Sequence, residues 1–228
     1  MIIYKMKKIM FNERYGLQQA VLDRRKTMTR RVVKCPKKFK GMEDVELEFH
    51  KRLDQDFYYD CVVVDADGHE LGQLPLPYEV GDVVAIAQAY KTDEVLTFNA
   101  YNKDGSPRND GAKRHKEMLN SEGYRNKEFV KAEYMPHHIR INDLRFERLQ
   151  DISDKDAMKE GVCEIDELKI DKFTPWPLTV KPYKYNTNNV KAFYAPRYAF
   201  AHLFKKVCGI RVWNENPWVV AYTFELVD

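Results

Sequence analysis

Trp218-Val219-Val220-Ala221-Tyr222-Thr223-Phe224-Glu225-Leu226 alternates as a β-strand, with Trp218, Val220, Tyr222 and Phe224 sharing one face. Such a face needs a packed layer beneath it. Just upstream, Pro196 opens a helix running through Val207. Ala199, Phe200, Leu203, Phe204 and Val207 fall on one side of it, and Gly209 is its stop. A second long strand is predicted from His138 to Leu149, bent near Asn142-Asp143. Ser153-Asp154-Lys155-Asp156 then resembles a capping box with Asp in place of Glu. It starts a helix over 154–160 that Gly161 ends. Tyr58 to Val64 and His69 to Leu74 flank the turn Asp65-Ala66-Asp67-Gly68 as a hairpin. Val83 to Ala87 is an apolar run of strand length, and Ile9, Met10 and Phe11 suggest a short strand near the start. Strands towards both ends with helices between them predict an α+β domain, a small closed or half-closed β-barrel decorated with helices.

Two polar stretches interrupt this pattern, at about 91–130 and 164–190. Both read as insertions into a single domain spanning residues 1–228. The first is an insertion or mobile flap with a short helix near Lys113 to Leu119. The second is Pro-rich and contains Pro175-Trp176-Pro177.

Among 228 residues, 38 basic and 35 acidic side chains leave a net charge of only +3, so any nucleic-acid binding has to come from a local patch. Cys35, Cys61, Cys163 and Cys208 are scattered, without a Cys-x-x-Cys pair. This speaks for reduced thiols and against a structural zinc site; no metal and no organic cofactor is indicated. Adjacent His137 and His138 point to opposite faces of a strand and cannot easily chelate one ion. No apolar run approaches the roughly 20 residues of a membrane helix. The N-terminal stretch does not read as a signal peptide, so a cytoplasmic protein is expected.

The densest chemistry lies in Asp23-Arg24-Arg25-Lys26-Thr27-Met28-Thr29-Arg30-Arg31. Leu17, Ala20 and Val21 upstream have helical spacing, and Val32-Val33 downstream begin a β-type segment. A lysine and two hydroxyls are thus expected at a helix-to-strand junction. Burial and neighbouring cations lower a lysine's pKa, which would make Thr27 or Thr29 a candidate nucleophile. Lys26 and Thr29 meet if the turn is helical. If it is extended, they point to opposite faces and Thr27 shares a face with Thr29 instead. The bland reading is a solvated basic turn, continued by Lys34, Lys37, Lys38 and Lys40 as a salt-sensitive phosphate contact or a solubilising loop. Trp213, Asn214 and Trp218 could stack on or read a base, although Trp218 is equally suited to the core and Asn214-Glu215-Asn216-Pro217 reads as a turn.

Five segments together resemble the ASCH domains, in particular their longer phage and prophage relatives. These are Arg25 to Arg31, Pro77 to Val83, Arg145 to Ile152, Ser153 to Gly161, and Trp213 to Val219, in family order across nearly the whole chain. The resemblance implies a PUA-like β-barrel that binds RNA or a modified nucleoside in a basic cleft, with Arg25, Thr27, Arg30 and Arg31 beside Trp213, Asn214 and Trp218. Small bacterial members are amidohydrolases that remove the acetyl group of acetylcytidine. Their lysine, threonine and glutamate fall, by resemblance, on Lys26, Thr29 and Glu160. The insertions make this chain about twice as long as those enzymes. Binding without catalysis therefore stands beside deacetylation, and a non-catalytic protein-interaction module of phage origin is a third alternative.

Overall fold

The computed structural model describes residues 6–51, 57–165, 183–185 and 192–227. Its first half runs β1 (Lys8–Ile9), α1 (Leu17–Leu22), β2 (Met28–Val32), β3 (Lys38–Phe39), β4 (Met42–Glu43), β5 (Glu46–Lys51), β6 (Tyr58–Val64), β7 (Glu70–Gln73) and β8 (Val83–Ile86). The excursion that follows carries α2 (Asp93–Ala100) and α3 (Gly111–Leu119). Then come β9 (His138–Arg148), α4 (Asp154–Lys159), β10 (Cys163–Glu164), β11 (Tyr183–Lys184), α5 (Pro196–Cys208), α6 (Ile210–Glu215) and β12 (Trp218–Leu226).

Eight strands form one mixed sheet. Its main path is β1-β8-β9-β12-β2, with β5, β6 and β7 joined through β6 to β9. β12 is central, pairing antiparallel with β9 on one side and β2 on the other. The class is α+β as expected, but the sheet does not close into a barrel. The reason lies in β9, which is 11 residues long. Along the edge away from β12 it pairs with β8 through Ile139 and Arg140, and with β6 at Phe146, so the sheet forks there. At the other end of the path, β2 meets no further strand of the sheet among the described residues. The expected bend in β9 is a bulge: Thr223 faces Asp143 and Phe224 faces Ile141, leaving Asn142 as the extra residue.

Alternation distributes the core over both faces. Val220, Tyr222 and Phe224 of β12 join Phe146, Ile139 and Ile141 of β9 and Val84 and Ile86 of β8 in one cluster. Val219, on the opposite face, packs under α4 and α5 with Ala157, Ala199, Phe200 and Phe204. Ala85 of β8 and Ala87 just beyond it belong to a third cluster with Tyr90, Val95, Met118 and Tyr134. The 91–130 stretch is therefore no structureless flap, since it buries side chains of its own against the back of β8. Pro175-Trp176-Pro177 and most of the second expected insertion lie outside the described residues.

Helix ends follow their sequence signals. Ser153 Oγ accepts from Asp156 N at 3.1 Å, capping α4. Gly161 follows its end at φ 100°, a conformation that disfavours side chains. One expected turn is different: Trp213 and Asn214 lie within α6, and the reversal comes at Asn216, φ 44°. No helix among the described residues is long and apolar enough to cross a membrane.

Candidate functional site

The Lys26 segment enters the fold as a clasp. Arg25 N and Lys26 N both donate to Ala20 O at the end of α1, at 2.9 and 2.8 Å. Thr27 N donates to Lys159 O at 2.8 Å, and Lys26 forms an isolated antiparallel bridge with Glu160. The end of α4 thus lies against the lead-in to β2. A Cβ on Gly161 would meet Ala20 and Lys26 at 3.4 Å, an ordinary contact distance, so it is the positive φ that calls for glycine here.

Within this clasp Lys26 is 2 % and Glu160 4 % exposed. Lys26 Nζ donates to Glu160 Oε2 at 2.5 Å, to Glu160 O at 3.1 Å and to Met28 O at 2.7 Å. All three ammonium donors are engaged, none of them by Thr29. Burial pushes the Lys26 pKa below its usual 10.5, against the opposing attraction of Glu160, and Arg31 and Arg30 push it the same way as burial.

Arg30 extends the cluster across the sheet. Its Nε donates to Glu147 Oε1 at 2.7 Å and its Nη1 to Glu160 Oε1 at 3.1 Å. The other oxygen of Glu147 accepts from Arg145 Nε at 3.0 Å, and Arg145 Nη2 reaches Asp156 Oδ2 at 2.5 Å. Arg30 and Arg145 flank the same residue of β12, Ala221, whose methyl group leaves room between them. Three cations and three carboxylates alternate: Lys26, Glu160, Arg30, Glu147, Arg145, Asp156. Charges balance among these six, with Lys159 Nζ a further cation 3.5 Å from Asp156 Oδ1, so the two arginines are held by protein carboxylates instead of being left for phosphate. Asp156 would be raised by burial alone, but Arg145, Ser153 and Arg30 outweigh that and hold it below 3.8.

One end of this ladder opens on a cavity of about 460 Å³. Lys26, Thr29, Arg30, Arg31 and Glu160 all line it. The chain is extended through Met28–Val32, which would send Thr29 and Arg30 to opposite faces. Three consecutive residues of β2 reach one cavity because the cavity lies along the open edge of that strand. Phe11 places its ring 5.9 Å from Lys26 Nζ, and Phe200 stands 5.8 Å from the Arg30 guanidinium. Arg31 Nη2 donates to Met10 O at 2.9 Å. From the first insertion, Lys127 reaches the rim and donates to Glu13 Oε1 at 2.9 Å.

The remaining expected binding residues sit elsewhere. Arg25 pairs with Asp23 at 2.9 Å, and Thr27 is half-buried; neither lines the cavity. Trp213 packs on Phe200 and Phe204, with ring centroids 6.3 and 6.0 Å away. Asn214 lies on α6, and Trp218 stacks on Phe49 at 4.0 Å. Glu147, Arg145 and Asp156 were not anticipated as part of the site. Asp65, Asp67 and His69 place ligand-type atoms within 4.8 Å of one another at the β6–β7 turn. There Asp65 Oδ1 accepts from the backbone of Asp67 and His69, which makes it the clasp of its own turn.

Comparison with protein-family models, with curated proteins and with solved structures finds no match to the chain.

Proposed function

We propose that this chain takes a modified nucleoside into the cavity beside β2 and hydrolyses its exocyclic amide, as an ASCH-type amidohydrolase of PUA-like ancestry. The observation that carries this reading is the convergence of Lys26, Thr29 and Glu160 on one cavity, where burial depresses the lysine's pKa. A volume of about 460 Å³ suits a nucleoside-sized ligand. The balanced ladder argues against a phosphate-rich strand at this place, since Arg30 already has two carboxylate partners.

In this reading Thr29 Oγ attacks the amide carbonyl carbon. Neutral Lys26 takes the hydroxyl proton and delivers it to the departing exocyclic nitrogen as the C–N bond breaks, leaving an acyl-threonine ester. Water, giving its proton to the same amine, then breaks the ester, and Thr29 recovers its hydrogen. A neutral Lys26 keeps two N–H donors, for the Met28 carbonyl and the Glu160 carboxylate, and gives up its bond to the Glu160 carbonyl. Arg31, which also lines the cavity, would stabilise the oxyanion.

A second reading, binding without turnover, is favoured by one observation: all three Lys26 donors are engaged, as an ammonium requires. Incubation with acetylcytidine, with chromatographic separation of cytidine, decides between them. The amidohydrolase releases cytidine, the rate rises with pH as Lys26 deprotonates below its usual 10.5, and Lys26→Ala abolishes turnover. Saturable binding with no cytidine at high enzyme concentration would instead reject that substrate and favour the binder.

A further inference from the structure

The residues given chemical roles above account for only one part of the cavity wall. Much of the rest is apolar and comes from α5, where Phe200, Leu203, Phe204 and Val207 follow the spacing of a helical stripe. Phe200 and Phe204 belong to the cluster beneath the helix and also meet Trp213. Leu203 differs. It is 3 % exposed, yet it joins none of the three core clusters and faces the cavity instead. Val207, 41 % exposed, continues the stripe one turn farther along the helix.

The chemistry of an N-acylated nucleoside has to be fitted to this wall. The base edges and the ribose hydroxyls need hydrogen-bond partners, and burying them unpaired is costly. None of Phe200, Leu203, Phe204 and Val207 has a side chain that can hydrogen-bond. Partners are available elsewhere on the lining, from Asn12, Glu13, Arg31 and Lys127. The hydrocarbon of the acyl group has no polar atoms to satisfy, and that group must lie at Thr29 to be attacked, while the faces of the base can lie on the phenylalanine rings.

We infer that the substrate's acyl group is an apolar chain longer than acetyl, laid along Leu203 and Val207. This rests on the amidohydrolase reading and narrows it to a fatty-acyl amide on a nucleobase amine. Hydrolysis breaks the same C–N bond and releases the fatty acid and the free nucleoside.

The test is a series of cytidines carrying acetyl, butanoyl or hexanoyl groups on the exocyclic amine, assayed with the full chain for kcat/KM. Each added methylene that becomes buried is expected to raise kcat/KM about fourfold. Leu203→Ser should flatten the series, and Val207→Ser, at a more exposed position, should flatten it less. The hexanoyl-to-acetyl ratio is read within each variant, so a smaller folded fraction lowers both rates and leaves the ratio unchanged. Acetyl as the fastest member, or a ratio that neither substitution moves, would overturn the inference while leaving the amidohydrolase reading in place. Release of cytidine from no member of the series would sink that reading, and the inference with it.

Discussion

Two neighbouring basic stretches meet opposite fates in this fold. Lys26 and Arg30 are 2 % and 6 % exposed and are held by carboxylates more than 110 positions away. Lys34, Lys37, Lys38 and Lys40 are exposed, and Lys38 pairs with Glu43 across the small β3–β4 hairpin, where both side chains remain more than 60 % accessible. Locally the stretches look alike, as lysine and arginine next to strand-forming residues. What separates them is whether the chain returns with acidic groups at the right height. β9 and α4 bring Glu147, Asp156 and Glu160 to β2, whereas the hairpin faces water. A run of positive charge in a sequence is therefore not yet a positive surface.

The sharpest way to break this contrast is to remove one charge from each stretch and measure urea unfolding. Lys26→Ala leaves Glu160 buried with Arg30 as its remaining cation, and a broken buried pair costs about 3–5 kcal/mol. A loss below about 1 kcal/mol would mean that water reaches the site and that Lys26 behaves as a surface lysine.

An intermediate effect is expected from acid. Asp156 has a folded pKa below its unfolded value of 3.8, so it adds stability above that pH and loses it as pH falls through the folded pKa. The urea midpoint should therefore drop on acidification below pH 3.8, and Asp156→Asn should make the drop shallower. An unchanged acid profile in that variant would remove Asp156 from the ladder's account of stability.

The smallest effect belongs to the hairpin. Lys38→Ala should change stability by no more than about 0.5 kcal/mol. A larger loss would show that the exposed lysines have structural partners of their own and would erase the comparison.

Most of the strand and helix framework could be read from the sequence, because alternation, caps and glycine stops are local. The helix over 154–160, its Ser153 cap and the α5 stripe were all visible in that way. The conclusion that the strands close into a barrel did not survive. Pairing both β8 and β6 along one edge of β9 is a long-range choice with no local signature. The site was half legible. Lys26 and Thr29 stand out in the local sequence and Glu160 comes from the resemblance; spacing leaves open whether the first two meet, and all three line one cavity although Thr29 lies on an extended strand.

Arg145 and Glu147 were missed for a physical reason. Polar residues two apart, on either side of Phe146, read as the solvent face of a half-buried strand. Here that face is buried under α4, and the charges satisfy one another. A signal was present in the opposite signs of Arg145 and Glu147, but it becomes informative only once Arg30 is known to sit across Ala221. The aromatic candidates Trp213 and Trp218 illustrate the converse, since rings suited to a base are just as well suited to Phe200 and Phe49.

The ladder has a consequence for how the chain chooses its pairing. Antiparallel strands that slip by a single position exchange their faces throughout. If β2 slipped so along β12, Arg30 would enter the apolar layer of Val220 and Tyr222, and Lys26 would leave its place opposite Glu160. A desolvated cation would stand in hydrocarbon while buried carboxylates lost their partners, a penalty that a purely apolar strand would escape. The buried charges thus act as an alignment check on an edge strand whose outer side pairs with no further strand among the described residues.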